Sequence, residues 1–228
     1  MKVTLLSFTP DPEKTIALAA KLCYSKSNID QLEAKVRGTA YKRLLEKIVK
    51  IGHLSVLEHA GFVFGIEGIS RVTSHQLVRH RLASYSQQSQ RYVSFEDVLE
   101  AVTPSSIKKA GLGLKFSKKI ASIHKFYKEM INAGVPQEDA RYILPNATTT
   151  KIIVTMNARE LLHFFALRCC ERAQWEIKEM ATKMLSLAKG KAPIVFKNAG
   201  PGCVKGPCPE GEMTCGKPKE IRAKFKSI

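Results

Sequence analysis

Residues 79–92 read Arg-His-Arg-Leu-Ala-Ser-Tyr-Ser-Gln-Gln-Ser-Gln-Arg-Tyr, and this stretch carries the densest chemistry of the chain. Its arginines, histidine, serines and glutamines cannot be buried together, because nearly every one of these side chains would need a polar partner. Arg79 and Arg81 repel each other unless an anion lies between them, and a guanidinium matches phosphate oxygens in a bidentate geometry. The stretch therefore predicts a surface or cleft, which is either an anion-binding site or a polar loop of solvated arginines.

Patterns typical of strands and helices alternate on both sides of this stretch. On its N-terminal side they predict a strand from Val3 to Phe8, a helix capped by Asp11 that starts at Pro12 and ends near Cys23, a helix from about Thr39 to Gly52, a strand around Phe62, Phe64 and Ile66, and a short helix capped by Ser70. On its C-terminal side they predict a loop rich in serine and glutamine, a basic amphipathic helix that ends near Gly134, a short helix between Pro136 and Pro145, a strand from Thr148 to Thr155, and one long helix from about Ala158 to Lys189.

The charge of the chain departs from the average, whereas the rest of its composition does not. Lys and Arg number 37 against 20 Asp and Glu, which gives a formal net charge of +17, while 44% of the residues are hydrophobic. Ordinary apolar content disfavours a disordered chain, and the positive surplus indicates an anionic partner such as nucleic acid, a membrane surface or small polyanions. No apolar run is long enough to span a bilayer, and the first residues lack a signal-peptide core, so we expect a cytoplasmic protein.

A longer pattern of spaced residues narrows these possibilities. The order Arg-His-Arg, Ser84, Ser89, Arg91 and Tyr92 resembles the signature of the flavin-dependent thymidylate synthases. Other matching segments occur in that family's order and spacing: Gly52-His53, Glu58-His59, Ala140–Pro145, Asn157–Arg159, His163–Phe165, Leu167-Arg168 and Ala173–Ile177. The resemblance predicts a synthase domain over residues 1–195 and leaves residues 196–228 as a basic tail rich in glycine, proline and cysteine.

The resemblance implies a single α+β domain with a helix-flanked β-sheet, assembled as a homotetramer whose active sites are shared between subunits. It implies a methyltransferase that converts dUMP to dTMP by reductive methylation, with FAD as the cofactor and with methylenetetrahydrofolate and NADPH as co-substrates. Because all these ligands are anions, they explain the positive charge without a membrane or an obligatory nucleic-acid partner. A basic nucleic-acid-binding protein is the alternative function.

The resemblance also assigns roles by position. It implies that FAD is contacted by Ser55, Arg79, His80, Arg81, Gln87, Asn157, Ala158, Arg159 and His163. It implies that dUMP is bound by Gln76, Leu77, Val78, Arg79, Gln87, Gln88, Ser89, Gln90, Arg91, Arg141 and Arg168. Arg168 is the predicted catalytic residue, because its planar fork can pair with the uracil edge and stabilise negative charge on N3 and O4, which makes C5 a better nucleophile.

Three residues bear on how closely the chain follows the family. Ser86 and Gln87 stand where many members have Asn and Glu, so hydrogen bonding can survive at Gln87 but a proton-transfer role cannot. Arg172 stands where members often have His and is assigned no contact. In the long predicted helix Arg168 and Arg172 share one face, where an anion between them would relieve their repulsion.

The cysteines are expected to be reduced and to take no part in catalysis. Adjacent Cys169 and Cys170 are an awkward pair for a disulfide framework, and no cysteine lies in the context of a cysteine-dependent thymidylate synthase, which would make the same product. The tail cysteines Cys203, Cys208 and Cys215 have no neighbouring histidine and no fourth ligand. We therefore expect no metal site and a loosely ordered tail.

Overall fold

Four antiparallel strands form one sheet in the computed structural model, which describes residues 1–95 and 97–228. The strands are β1 (Lys2–Phe8), β2 (Gly61–Ser70), β3 (Ala83–Gln87) and β4 (Thr149–Asn157), and they lie in the order β1-β2-β4-β3. Two hydrogen bonds fix the register of the central pair, from Ala158 N to Ala60 O and from Arg71 N to Thr148 O. The sheet and its helices confirm the predicted α+β class.

Ten α-helices accompany the sheet in the described residues. They are α1 (Pro12–Leu22), α2 (Ile29–Lys35), α3 (Tyr41–Ile51), α4 (Arg71–Leu77), α5 (Ser105–Lys109), α6 (Gly113–Asn132), α7 (Gln137–Ala140), α8 (Ala158–Arg168), α9 (Trp175–Lys189) and α10 (Pro218–Ser227). Short 3-10 turns occur at Ser55–His59, Arg141–Ile143, Gly202–Val204 and Gly211–Met213. Within residues 1–95 and 97–228, no helix combines the length and the apolar content needed to cross a bilayer.

The chain divides into two compact units, and each has buried aromatic residues of its own. The first unit comprises Met1–Lys2, Ile66–Arg79 and Tyr85–Ile153, and the second comprises Val3–Gly65, His80–Ser84 and Val154–Ile228. In the first unit Tyr127 is buried and packs edge-on against Phe95, with ring centroids 6.4 Å apart. In the second unit the Phe196 ring packs edge-on against Phe62 at 5.6 Å and against Phe165 at 5.9 Å. Aromatic burial on this scale stabilises each unit.

Most of the predicted elements are confirmed, together with the local signals that start and end them. Helix α3 ends at Gly52, which adopts the left-handed conformation with φ 77° that favours glycine. Ser70 caps α4, because its hydroxyl oxygen accepts a hydrogen bond from Thr73 N at 3.2 Å. Strands β1, β2 and β4 and helices α6 and α7 also lie where the sequence predicts them.

Near the N-terminus the structure corrects one predicted cap and adds one helix. Asp11 precedes α1 in the left-handed region, at φ 44° and ψ 56°, and its side chain makes no capping hydrogen bond. Its carboxylate instead pairs with Lys14 Nζ at 2.9 Å. The unpredicted helix α2 begins with a capping box, in which Asn28 and Gln31 each bond the other's backbone N–H.

The loop predicted from the serine and glutamine content is wrong over residues 83–87, which form strand β3. The alternation in this segment is weak, with only Ala83 and Tyr85 as apolar residues between serines, so its sequence gives little sign of a strand. Backbone pairing with β4 supplies the missing stabilisation, and one such bond continues just past the strand, from Gln88 N to Lys151 O at 3.0 Å. Tertiary pairing therefore overrides local propensity here.

The single long helix predicted from 158 to 189 is also wrong, because α8 ends at Arg168 and six residues separate it from the start of α9 at Trp175. Gln174 restarts the helix, since its side-chain oxygen accepts hydrogen bonds from Glu176 N at 3.0 Å and Ile177 N at 3.1 Å. Arg172 lies in the connection between the two helices. The expected repulsion between Arg168 and Arg172 on one helical face is therefore wrong.

The C-terminal tail is more ordered than its composition predicts. Ile221 and Phe225 of α10 are buried, and so is Cys203. The Arg222 side chain donates hydrogen bonds to the carbonyl oxygens of Cys203 at 2.7 Å and Gly206 at 2.6 Å, which ties α10 to the preceding loop. The expectation of a loose tail is wrong, whereas the expected free thiols are confirmed for all six cysteines.

Candidate active site

Strand β4 runs directly into α8, and this junction positions several predicted site residues of the second unit. Asn157 ends β4 and caps α8, because its side-chain oxygen accepts a hydrogen bond from Glu160 N at 2.9 Å. Helix α8 then carries Glu160, His163 and Arg168, with the arginine in its last turn. A cation there is favoured by the negative end of the helix dipole.

His80 connects Arg168 to Glu160 through the two nitrogens of its ring. Arg168 Nε donates a hydrogen bond to His80 Nε2 at 3.0 Å, and His80 Nδ1 lies 3.2 Å from Glu160 Oε1. The side chains of His80 and Glu160 are only 4% and 6% exposed. The ring also packs edge-on against Phe164, with centroids 4.9 Å apart, and lies 5.9 Å from the His163 ring. The imidazole is thus fixed on several sides.

The geometry defines the protonation state of His80. Only a ring with an unprotonated Nε2 can accept the hydrogen bond from Arg168, so the proton sits on Nδ1 and is donated to Glu160. Burial, with the nearby Arg168 and His163, lowers the pKa of His80 to about 4. Burial also raises the pKa of Glu160, against a smaller opposing effect of His163. His80 is therefore neutral near pH 7.

The same three residues form a group that could in principle hold a cation. One ligand atom from each of His80, Glu160 and His163 lies within 4.8 Å of the others. Both nitrogens of His80 are already bonded to protein groups, however, and one of these groups is the cationic guanidinium of Arg168. A second cation at this ring would be repelled, so hydrogen bonding describes the cluster better than metal ligation.

Of the other predicted flavin contacts in the second unit, three have exposed basic or polar side chains and one is buried. Ser55 and Arg81 are exposed, and so is Arg159, which forms an ion pair with Glu58. Ala158 is buried and its backbone N–H donates to Ala60 O at 2.8 Å. The side chains that can reach a ligand are therefore those of Ser55, Arg81 and Arg159.

In the first unit Gln87 is held by two hydroxyl groups. Its amide nitrogen donates hydrogen bonds to Ser74 Oγ at 3.0 Å and to Thr150 Oγ1 at 3.2 Å. Ser74 in turn donates to the carbonyl oxygen of Arg71 at 3.1 Å. Because Gln87 acts as a donor to two hydroxyl groups, a neutral amide suits these surroundings. A carboxylate, which the resemblance implies at this position in many family members, could not donate these hydrogen bonds.

Three arginines of the first unit form a basic group around Glu138: Arg91 and Arg141 contact this residue, and Arg71 lies near Arg141. Arg91 pairs with Glu138 at 2.8 Å, and Arg141 Nε donates to the Glu138 carbonyl oxygen at 3.0 Å. The pKa of Arg71 is lowered by burial and by the charge of Arg141, so these two guanidiniums are close enough to repel each other. Of these three arginines only Arg91 is paired with a carboxylate of the described residues, and the excess positive charge fits an anionic ligand.

The remaining predicted dUMP contacts of the first unit differ in accessibility. Val78 and Arg79 are exposed, whereas Leu77 is buried and accepts a hydrogen bond at its carbonyl from Tyr85 Oη at 2.9 Å. Gln76 is half-buried and donates weakly to Val72 O at 3.4 Å. The three residues that follow Gln87 are also half-buried: Gln88, Ser89 and Gln90. Leu77 can therefore affect a ligand only through backbone or packing.

The structure brings His80, His163 and Arg168 together in the second unit, and Arg91 with Arg141 in the first. Sequence reasoning missed Glu160, although its place three residues after the capping Asn157 is a recognisable helix-start signal. It also missed Arg71 and Glu138, for which the sequence offers no sign beyond charge. Their proximity to the predicted residues depends on tertiary contacts.

Comparisons with known proteins agree on one family. The family model described as "Thymidylate synthase complementing protein" matches residues 4–194. A relative from Geobacter sulfurreducens is 56% identical and aligns over 100% of this chain and 99% of its own length. A relative from Clostridium tetani is 44% identical over 97% of this chain and 96% of its own length. A relative from Pyrococcus furiosus is 49% identical over 100% of this chain and 98% of its own length. All three relatives are named "Flavin-dependent thymidylate synthase".

Proposed function

The chain belongs to the family of flavin-dependent thymidylate synthases, and from this premise we propose how its residues bind the substrates and promote the reaction. The protein is a flavin-dependent enzyme of the methyltransferase type that forms dTMP. In this proposal dUMP is methylated reductively in the cytoplasm, with FAD as the cofactor, 5,10-methylenetetrahydrofolate as the carbon donor and NADPH as the reductant.

The observation that carries the proposal is the fixed guanidinium of Arg168. Its Nε is committed to His80, and among the described residues its two terminal nitrogens have no hydrogen-bond acceptor. A planar pair of N–H donors matches N3 and O4 of a uracil ring whose N3 carries no proton, because both atoms are then acceptors that share the negative charge. Stabilising negative charge there raises the electron density at C5, which is the carbon that gains the methyl group. Arg168 is thus the proposed catalytic residue.

The phosphate of dUMP is bound by the arginines of the first unit in this proposal. Arg91 and Arg141 flank Glu138, and the charge of Arg71 adds to theirs. An incoming phosphate would relieve the repulsion among these guanidiniums, which favours binding of the dianion. Gln87 is held in place by Ser74 and Thr150, so its side-chain oxygen remains oriented as an acceptor.

In this proposal FAD binds exposed side chains of the second unit. The Arg81 guanidinium and the Ser55 hydroxyl can donate to a pyrophosphate, and Arg159 can do so by exchanging its ion pair with Glu58 for the ligand. FAD, when bound, supplies the redox and one-carbon-transfer chemistry, while the protein binds, orients and polarises the reactants. Arg79, exposed in the first unit, is available to either FAD or dUMP.

The thiols of the chain support a route without a cysteine nucleophile. Cys169, next to the proposed catalytic arginine, is buried, and burial raises the pKa of its thiol to about 12. A thiol that stays protonated near pH 7 is a poor nucleophile, because the thiolate is the reactive form. This environment disfavours the cysteine-dependent alternative for Cys169.

A homotetramer with shared active sites completes the proposal. Large apolar side chains within residues 79–92 and next to Arg141 are exposed in the single chain, namely Leu82, Tyr92 and Tyr142 at 74%, 78% and 86%. Exposed apolar residues next to a functional motif are typical of surfaces that another subunit covers. The single chain therefore leaves apolar surface available for assembly around the site.

Purified protein tests the assignment directly. We expect it to be yellow, or to become yellow on addition of FAD, with absorption bands at roughly 370 and 450 nm. With dUMP, methylenetetrahydrofolate and NADPH it should form dTMP, measured by product chromatography and by release of tritium from C5-labelled dUMP. A protein that binds no FAD in equilibrium dialysis, or that binds FAD and forms no dTMP, would contradict the proposal.

A further inference from the structure

We propose that Glu160 is a positioning residue of the reaction, which holds Arg168 in its working orientation through His80. The inference rests on the proposed function of Arg168, and adds an acid to which neither the sequence motif nor the resemblance gives a role. All three residues lie in the second unit. The hydrogen bonds from Arg168 to His80 and from His80 to Glu160 form one continuous chain.

Glu160 selects the tautomer of His80. A neutral imidazole carries its proton on either Nδ1 or Nε2, and the group that faces each nitrogen decides which form is stable. With Glu160 Oε1 at 3.2 Å, the Nδ1–H form gains a hydrogen bond, and Nε2 is left as an acceptor. The other tautomer would turn an N–H toward the Arg168 Nε–H and bring two donors together. The carboxylate thus determines whether His80 can accept from the arginine at all.

The acceptor at His80 Nε2 in turn sets the guanidinium plane. Arg168 is half-buried at the end of α8, and its long side chain has several rotatable bonds. A hydrogen bond at Nε fixes the plane while both terminal nitrogens keep their donors for a ligand. Bidentate pairing needs this plane to be aligned with the uracil edge, so loss of the Nε contact weakens catalysis more than it weakens the fold.

The protein holds Glu160 itself firmly. Its backbone N–H is bonded to the Asn157 cap, and its side chain is almost fully buried in the first turn of α8. His80 is confined by the Phe164 ring. A buried carboxylate with a raised pKa costs stability, which is reasonable if it orients a functional group.

Two substitutions at Glu160 separate positioning from packing. Glu160→Gln keeps an oxygen that can accept from His80 Nδ1, and Glu160→Met keeps the approximate volume but removes the acceptor. We expect kcat to stay within a few-fold of wild type for Gln and to fall about 10- to 100-fold for Met, with FAD content unchanged. Glu179→Met, which alters an exposed acid of α9, is the matched control and should retain full activity.

A double-mutant cycle with Arg168→Lys tests whether Glu160 acts through the arginine. Lysine has no Nε donor of this geometry, so Glu160→Met should change kcat by less than about twofold in that background. Equal losses in both backgrounds would overturn the proposal and indicate a general effect on the fold. Full activity of Glu160→Met with normal FAD content would also overturn it.

The proposed function can fail separately from this inference. Wild-type activity in Arg168→Lys would remove the role of Arg168 itself, whatever Glu160 does. Should Glu160→Met not fold, the tautomer of His80 can be measured by ¹⁵N NMR of the wild-type protein with labelled histidines. The His80 signals are assigned as those that disappear in the His80→Asn variant. We expect protonated Nδ1 and unprotonated Nε2 at pH 7; the opposite tautomer, or a fully protonated ring, would overturn the proposal.

Discussion

At the scale of single residues, the neighbours of a side chain decide what its chemistry can do. An isolated histidine titrates near neutrality, whereas His80 is buried between an arginine and a carboxylate and stays neutral well below that range. Gln87 illustrates the same point, because the hydroxyls of Ser74 and Thr150 accept from its amide nitrogen. In both cases hydrogen-bond partners distant in sequence fix the role of the residue.

Protonation of His80 should make the stability of the protein depend on pH. Its pKa is about 4 in the folded state against about 6.5 unfolded, so the unfolded chain binds more protons between these values. Stability is therefore present above pH 6.5 and is lost as the pH falls toward 4. His80 should lower the free energy of unfolding by about 2 kcal/mol at most between pH 7 and pH 5, as measured by urea unfolding at the two pH values.

The His80→Asn variant is the control for this pH dependence, because asparagine keeps a donor toward Glu160 but does not titrate. Among the described residues, the charged and titratable groups close to His80 include Glu160, His163 and Arg168. The raised pKa of Glu160 changes stability with pH in the opposite direction to that of His80. The pH dependence of the unfolding free energy of the variant is therefore subtracted from that of the wild type, which leaves the contribution of His80. An equally steep loss of stability in both proteins would contradict the assigned state of His80.

At the scale of elements, short caps and tight contacts end the helices where apolar periodicity would continue them. Gln174 begins α9 and so separates it from α8, which places Arg168 in a last helical turn rather than in mid-helix. The tail is likewise held by particular contacts, since Phe225 of α10 is buried and packs close to Gly200. A segment rich in glycine and proline can thus be ordered when its few apolar residues are buried.

Substitution of Gly200 should loosen this packing. Gly200 has φ +139°, and a Cβ there would lie 2.8 Å from the Phe225 ring and 3.3 Å from Val204. We expect Gly200→Ala to lower the free energy of unfolding by about 1–3 kcal/mol, through backbone strain and displacement of Phe225. Gly206→Ala is the control, because no atom lies within 4 Å of its added Cβ. Thermal and urea unfolding measure both, and equal stability of the two variants would refute close packing of α10.

At the scale of the whole molecule, charge and exposed apolar surface both concern what the chain binds. A net charge of +17 raises the local concentration of anionic substrates, while self-repulsion opposes close assembly of identical chains. The exposed Leu82, Tyr92 and Tyr142 side chains favour assembly. Binding of several anions at shared sites would reconcile these two tendencies in the proposed homotetramer.

Mixing two inactive variants tests the shared sites. Arg168→Lys affects the proposed uracil contact and Arg91→Ala the proposed phosphate contact, and each alone should lower dTMP formation by about 100-fold. If one active site draws these residues from different subunits, co-refolded mixtures regain part of the activity, because some sites receive both intact arginines. Light scattering should give the mass of four chains. Mixtures no more active than the separate variants would contradict sharing of this pair.

The sequence by itself determined the elements whose signals are local. The Ser70 cap, the Gly52 stop and the strand patterns of β2 and β4 act over a few residues, and each is confirmed. The Arg-His-Arg motif and the spaced segments on both sides of it were also sufficient to identify the family, which the full-length relatives confirm. These features could be predicted because nearby residues, or their order along the chain, contain all the information.

Only the tertiary structure decided the strand at β3 and the link from Arg168 through His80 to Glu160. Strand β3 has only a weak apolar pattern and depends on backbone pairing with β4, more than sixty residues away. His80 and Glu160 are separated by 80 residues, and His80 and Arg168 by 88. Hydrogen bonds depend on distance and direction in space, so no periodicity or motif could show that these groups meet or which nitrogen of the histidine carries the proton.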